Sequence, residues 1–510
     1  MTNSESGAEH SAAEYRVTEY DELPYPSLPV SYCHPSSLAA LVRLFALKPP
    51  VTATARILEM GCASGGNLIP LAVQYPNASF VGVDLSDVQV RAANTRISEL
   101  GLRNISVTQG DLLKASFSPD AFDYILCHGV FSWVGRPVQD AILRICSNSL
   151  SADGIAVISF NVLPGWHLRR VVRDICLLHA GKGSQSERVG RARRALVEIA
   201  NNLSGSDVYT TLLQAEARRL QKMPSAYISG EFLAEHNLPC LFSEFYSRSK
   251  QVGLEYVCDA EFSTSLPQQM APASAQLIGA MSGGNAGAAQ QYIDLFTGRP
   301  FRRAILVHGG RVSGDMNAVD PSGLQEMHFA AELTPNRRAA GSSQMQPDNI
   351  SEQLLHRLAA ESPSTMTFHD LSGFASRHNT SADTVRDSIL ELMNRGQVAA
   401  FADPLHVGRG DTSHPTAWPV ARLDAKAPQP WLTSQHHRAI RKIPALALLL
   451  PLMDGSRTRT ELQSELEVAV QQGKLDLPRP ANGTAPQPAS TPNIFAAAME
   501  YAARNGLLCN

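Results

Sequence analysis

The stretch from Arg56 to Ser86, "RILEMGCASGGNLIPLAVQYPNASFVGVDLS", constrains the fold more than any other part of the chain. It reads as a strand, a Gly-rich turn, a helix, and a second strand ending in Asp84. Glycine in the first turn lets a ligand approach the backbone closely. The alternation continues with a helix opening at Ser86. There Ser86 and Gln89 match a capping box, and Val90, Ala93, Ile97 and Leu100 fall on one face. Strands "ISVTQGD" and "FDYILCH", a helix over 137–150 and strand "GIAVISFN" follow. Strands separated by helices predict a parallel sheet covered on both faces. "GLEYVCDAEF" (253–262) and "FRRAILVHGG" (301–310) read as an antiparallel pair at the sheet edge. The expected fold is α/β, a Rossmann-like seven-stranded core with helical insertions. The Gly/Ala-rich part of one insertion, 271–290, reads as mobile.

Three acids narrow the ligand. Glu59 ends the first strand, two residues before Gly61, where a dinucleotide site presents amides to pyrophosphate. A carboxylate there repels phosphate and welcomes an ammonium. Ala63 stands where a dinucleotide fingerprint has Gly. Asp84 lies 19 residues after Gly65, placed to accept both ribose hydroxyls. Asp111 follows the third strand, within reach of an adenine amino group. Three acids after three successive strands suit a cationic adenosyl ligand without phosphates, S-adenosyl-L-methionine. The competing readings are three helix caps, or a dinucleotide. The expected cofactor contacts are Glu59, Gly61, Cys62, Ala63, Gly65, Asn67, Asp84, Leu85, Asp111 and Leu112.

At 510 residues the chain exceeds one ordinary core, so several domains are expected. A net charge of −3 gives no sign of a nucleic-acid or anionic-membrane partner. The eight Cys form no CxxC and no Cys/His metal spacing, so no metal is expected and the thiols read as reduced. The first fourteen residues are polar and read as disordered, without a signal segment. The longest apolar run, 443–453, falls short of the roughly 20 residues that span a bilayer. The reading is a cytoplasmic protein without membrane insertion.

"LEMGCASGG", "VGVDLS", "QGDLL" and "FDYILCHGVFSW" resemble the motifs of class I S-adenosylmethionine-dependent methyltransferases. "YDELPYPS", "CHGVFSWV", "NVLPGW", "SEFYSRSKQVGLEYVCDAEF", "QYIDLFTGRPFRRAILVH" and "PLMDGSRTRTEL" are similar to a narrower family, bacterial methyltransferases with a methyltransferase regulatory domain. Some of its members are protein-lysine methyltransferases of outer-membrane proteins. The resemblance implies methyl transfer to protein lysine, and it puts His128 beside the adenosyl group.

Methyl transfer from a sulfonium is an in-line displacement. It needs alignment and exclusion of water, with no metal and no covalent intermediate. His128, Phe131 and Trp133 follow the fourth strand, Asn161 and Trp166 follow the fifth, and Tyr20 and Tyr25 lie in an N-terminal lid. Ligands in such sheets sit at the carboxyl ends of strands, so these residues line the expected acceptor channel. The catalytic candidates are His128, Trp133, Tyr25 and Asn161, with His128 read as a cofactor contact rather than a base. Trp133 and Trp166 have the alternative of packing a helix start. "NVLP" lacks the Pro-Pro-aromatic sequence of adenine methylation.

The expected domains are a tail and lid (1–35), the cofactor core (36–182), a helical middle region completing the sheet (183–310), a linker (311–345), a winged-helix-like domain (346–405) and a second one (406–510). In the first of these, Thr380 and Asp383 read as a helix cap. Residues 435–470 read as helix, cap and helix. A basic cluster, Arg438, Arg441, Lys442, Arg457 and Arg459, reads as part of a protein-docking surface rather than a DNA reader. The expected partner is a protein substrate docked by the middle and C-terminal domains, and a homodimer is left open. Two other functions stay open: a small-molecule or peptide methyltransferase, and a cofactor-binding regulator without turnover.

Overall fold

Seven strands form one sheet in a computed structural model that describes residues 21–312, 318–332, 349–475 and 491–509. They are β1 (Arg56–Met60), β2 (Ser79–Asp84), β3 (Ile105–Gln109), β4 (Phe122–Cys127), β5 (Leu150–Asn161), β6 (Leu254–Asp259) and β7 (Phe301–His308). Their order is β3-β2-β1-β4-β5-β7-β6. The first five are parallel, and β7 runs antiparallel to both β5 and β6. Apolar β1 serves both faces: Ile57 joins the core on one side and Leu58 the core on the other. The strand order reverses between β1 and β4, which opens a crevice at the carboxyl ends of these strands.

The middle region is helical. Gly165–Ala180, Gln185–Asn202 and Val208–Lys222 pack around Val172, Leu196, Leu213 and Phe232. The stretch read as mobile, 271–290, is helical, with Pro272–Ser282 and the start of Ala286–Thr297. Alanine outweighs glycine within each helix. Gly283 and Gly298 sit just past the two helix ends in the left-handed conformation.

The segment read as a linker, 311–345, contains structure. β8 (His328–Ala331) is the middle strand of a sheet with β9 (Met366–Thr367) and β10 (Val398–Phe401). With helices Ile350–Glu361, Phe368–Ser376 and Ala382–Asn394 it makes a winged-helix unit. Ser381, not Thr380, caps the last of these helices, its side chain accepting from Thr384 N. Leu354, Leu371 and Ile389 belong to the same apolar cluster as Ile57, so this unit is continuous with one face of the main sheet. The C-terminal domain has its own core around Leu446, Leu462 and Phe495. There a hairpin, β11 (Trp431–Thr433) with β12 (Ala439–Arg441), confines the helix expected after 435 to Pro444–Leu449. Thr458 and Glu461 form a reciprocal capping box on the next helix. No helix among the described residues is long and apolar enough to cross a membrane. The N-terminal tail, with Tyr20, and most of the Pro-rich segment after 475 lie outside the described residues.

Candidate active site

The turn after β1 is held open for a ligand. Gly61, Ala63 and Gly65 have φ of 74°, 47° and 72°. Gly61 N and Cys62 N both donate to Val83 O, which ties this turn to the end of β2. A Cβ on Gly61 would stand 2.3 Å from Val130 Cγ2, so only glycine fits. Asp84 Oδ2 accepts Ala63 N at 2.7 Å and Oδ1 accepts Ser86 N at 2.9 Å. Burial raises the Asp84 pKa, and these amide bonds oppose the rise. Each oxygen keeps a lone pair for a hydroxyl. Ser86 caps its helix through Gln89 N, yet the capping box is half-made: Ser86 N is taken by Asp84, and Gln89 Nε2 points to Tyr25 O. Asp111 Oδ1 caps its own turn through Leu113 N. Leu112 is buried and Leu85 is exposed beyond β2.

Glu59 is 3% exposed. Its Oε1 accepts Asn67 Nδ2 at 2.9 Å, while Oε2 is buried with no partner among the described residues. Burial pushes its pKa up to about 8; the Asn67 hydrogen bond opposes this and the Asp84 charge adds to it. A buried acceptor left without a donor costs about 1–3 kcal/mol. An incoming cation removes that cost and a phosphate aggravates it. The donor set of this turn therefore fits the ammonium and sulfonium of S-adenosylmethionine.

The lid, missed in detail by sequence, crosses this turn. Ser27 Oγ accepts Gly66 N at 2.8 Å, and a Cβ on Gly66 would stand 2.1 Å from Ser27 O. Val30 N donates to Asn67 Oδ1 at 3.0 Å. Further along, Tyr32 hydroxyl hydrogen-bonds His128 Nδ1, and Ser159 Oγ lies 3.3 Å from the same nitrogen. We assign the imidazole proton to Nε2 on this pattern. Burial, then the Arg303 charge, lowers the His128 pKa to about 4. His128 is thus neutral at pH 7 and a poor base, in keeping with a contact role.

Trp133 lies in the turn Phe131–Trp133 after β4, and Trp166 opens the helix Gly165–Ala180 after β5. Their rings meet edge-on at 5.8 Å. Trp166 is 1% exposed and donates Nε1–H to Asn237 Oδ1, so it forms the wall's fixed base. Phe131, expected in the channel, is instead fully buried against Phe160 and Phe245. Asn161 is buried, its N bonded to Ser132 Oγ and its Nδ2 without a partner among the described residues. Arg169 covers the Trp166 ring and faces Glu231 at 4.0 Å. Glu231 sits in a π-helical turn, Ser229–Leu233, a feature frequent at functional sites. The Tyr25 ring lies against Gly230 in that turn, and burial raises the pKa of its hydroxyl. Burial also raises Glu231 to about 7, against the pull of Arg169, Arg219 and Arg173. Sequence reasoning missed Glu231 and Asn237, and it read the lid without singling out Tyr32.

Much of the basic cluster is engaged internally. Arg438 pairs with Glu332, Lys442 donates to the Asp424 and Ala427 carbonyls, and Arg459 donates to Gly410 O.

Three family descriptions match the chain: "Methyltransferase domain" over 57–154, "Predicted methyltransferase regulatory domain" over 224–308, and "PKMT, C-terminal winged helix domain" over 413–507. An uncharacterized protein of Rickettsia prowazekii is 30% identical over 482 residues, 89% of this chain and 86% of its own. A second protein of that organism is 35% identical over 223 residues, 43% of this chain and 89% of its own. The structure of PKMT2 from Rickettsia typhi in complex with AdoHcy superposes with a TM-score of 0.81 at 24% identity, covering 96% of this chain and 100% of that one. With the crevice and its acids in place, these likenesses settle the family: the chain belongs to the class I S-adenosylmethionine-dependent methyltransferases that carry a methyltransferase regulatory domain and a C-terminal winged helix.

Proposed function

We propose that this methyltransferase N-methylates lysine side chains of a protein substrate. One observation carries the reading: beside the edge-on pair of Trp133 and Trp166, Arg169 bridges the Trp166 ring to the largely buried carboxylate of Glu231, in the turn against which the lid residue Tyr25 packs. A lysine reaches an enzyme as an ammonium with a pKa near ~10.4 and must lose a proton before it can attack. The aromatic wall disfavours the charged amine. Glu231, whose pKa of about 7 matches neutral working conditions, takes up the departing proton. The cofactor, when bound through Glu59, Asp84 and Asp111, supplies a methyl group on a sulfonium that an amine can displace in line. Asn161 Nδ2, buried and free to donate, orients the acceptor at the end of β5. The C-terminal description "PKMT" and the resemblance to protein-lysine methyltransferases support this substrate class. The middle and C-terminal domains serve as docking surfaces for a protein, through residues other than Arg438, Lys442 and Arg459, which are engaged internally.

The test is transfer of tritiated methyl from S-adenosylmethionine into a bacterial lysate, followed by acid hydrolysis and amino-acid separation. Label in methylated lysines is expected. Label confined to small molecules refutes the lysine reading and leaves the methyltransferase assignment standing.

A further inference from the structure

The cofactor acid Glu59 is tied to the far end of the chain. Asn67 joins them: its Nδ2 donates to Glu59 Oε1 at 2.9 Å, and its Oδ1 lies 2.6 Å from His437 Nε2. The lid's Val30 N donates to the same oxygen. Two donors on Oδ1 fix which way the amide faces. A flipped Asn67 would turn its oxygen toward the carboxylate and its NH2 toward two donors. His437 therefore carries its proton on Nε2, and its Nδ1 has no partner among the described residues.

His437 is built for this reach. It sits in the turn between β11 and β12, closed by Ser434 N to Arg438 O and His437 N to Ser434 O, each 2.9 Å. Its φ is 57°, a left-handed conformation that a non-glycine residue holds only when its surroundings insist. The side chain is 1% exposed. Its ring meets His34, at the lid's far end, at 5.7 Å. Docking of the C-terminal domain does not depend on this bond alone, since Arg96 pairs with buried Asp424 at 2.9 Å.

We infer that His437 is a positioning residue of the cofactor site, through which the C-terminal winged-helix domain completes the grip on S-adenosylmethionine. It acts on Asn67, which in turn sets Glu59 and its open oxygen. The inference rests on Glu59 being a cofactor contact. Because coupling between sites is reciprocal, a substrate that shifts this hairpin alters cofactor affinity, and the cofactor steadies the hairpin.

The deciding variant is His437→Asn. Asparagine tolerates the left-handed backbone yet is too short to reach Asn67. Cofactor Kd and KM are expected to rise about tenfold, the loss of one charge-coupled hydrogen bond, with kcat nearly unchanged. The pH midpoint of cofactor binding moves upward as well, because the Asn67 bond that holds Glu59 down is loosened. A merely structural role would lower stability and leave that midpoint in place. Wild-type affinity and midpoint in His437→Asn overturn the inference. Glu59→Gln run alongside separates the two failures: if it too binds normally, the cofactor site itself is misassigned. Should His437→Asn fail to fold, hydrogen exchange on the wild type decides. Amides of 434–438 gain protection on adding S-adenosylmethionine, and unchanged protection overturns the inference.

Discussion

Replacing Glu59 by Gln isolates one proton. Burial pushes Glu59 up to a pKa of about 8, against an ordinary 4.5. The native state therefore holds this proton more tightly than the unfolded chain. The associated stability is fully present below pH 4.5 and is lost as pH rises through 8. A shift of that size corresponds to roughly 5 kcal/mol at about 1.4 kcal/mol per unit. At pH 7 the carboxyl is about nine-tenths protonated; at pH 9, about one tenth. A cation bound beside Oε2 forces ionisation, so at pH 7 Glu59 releases close to one proton on cofactor binding; at pH 9 it releases almost none, and the cofactor's amine, with an α-amino pKa of about 8, takes one up to bind as ammonium. Titration calorimetry in buffers of different ionisation enthalpy counts that proton directly. Glu59→Gln is expected to abolish the release, to weaken binding, and to flatten the fall in melting temperature between pH 5 and 8. A wild type that binds at pH 7 without releasing a proton, or a variant that releases the same proton, refutes the assignment of Glu59.

Two further substitutions test the surroundings. Gly66→Ala introduces a Cβ 2.1 Å from the Ser27 carbonyl, so the lid backbone must retreat by roughly 1 Å, at a cost of about 1–3 kcal/mol. Cofactor KM should rise at least several-fold in steady-state kinetics, and an unchanged KM removes the lid from the site. Asp294→Asn strips the nearer of two charge partners from Arg302, which is 0% exposed, bonded to Asp294 at 2.9 Å and 3.8 Å from Asp259. Breaking such a buried pair costs roughly 3–5 kcal/mol, visible as a lower urea midpoint.

The core was readable because its signals are local. The strand-and-helix alternation, the glycines of the first turn and the spacing from Gly65 to Asp84 all lie within short windows; Asp84, read as a ribose contact, accepts Ala63 N and Ser86 N. Failures came where partners are distant. β8 has only four residues, and its pairing partners lie 37 to 73 positions later, so its stretch looked like linker. His437 and Asn67 are 370 residues apart and carry no shared pattern. Phe131 follows a strand just as Trp133 does. The turn Phe131–Trp133 points it into the core, and an aromatic residue type alone does not foretell that choice.

Glu59 at the end of β1 and Glu231 beside Arg169 are two acids raised by burial, and their coupling to pH differs. Glu59 must ionise for the cofactor to bind tightly; Glu231 must ionise to accept the amine's proton. At limiting S-adenosylmethionine both requirements apply, so the rate should climb with pH along a two-proton limb reaching from about 7 to about 8. Saturating cofactor pins Glu59 in its ionised form, leaving the single step of Glu231. Glu231→Gln should then lower kcat by about 10²-fold or more, within the usual range for a lost general base, and remove the step near pH 7. Cofactor affinity should stay unaltered, because the charged neighbours of Glu231 are Arg169, Arg173 and Arg219 rather than Glu59 or Asp84. Profiles recorded at low and high cofactor distinguish the two acids. A kcat profile that keeps its step in Glu231→Gln assigns the proton to another group and takes the lysine mechanism's base away.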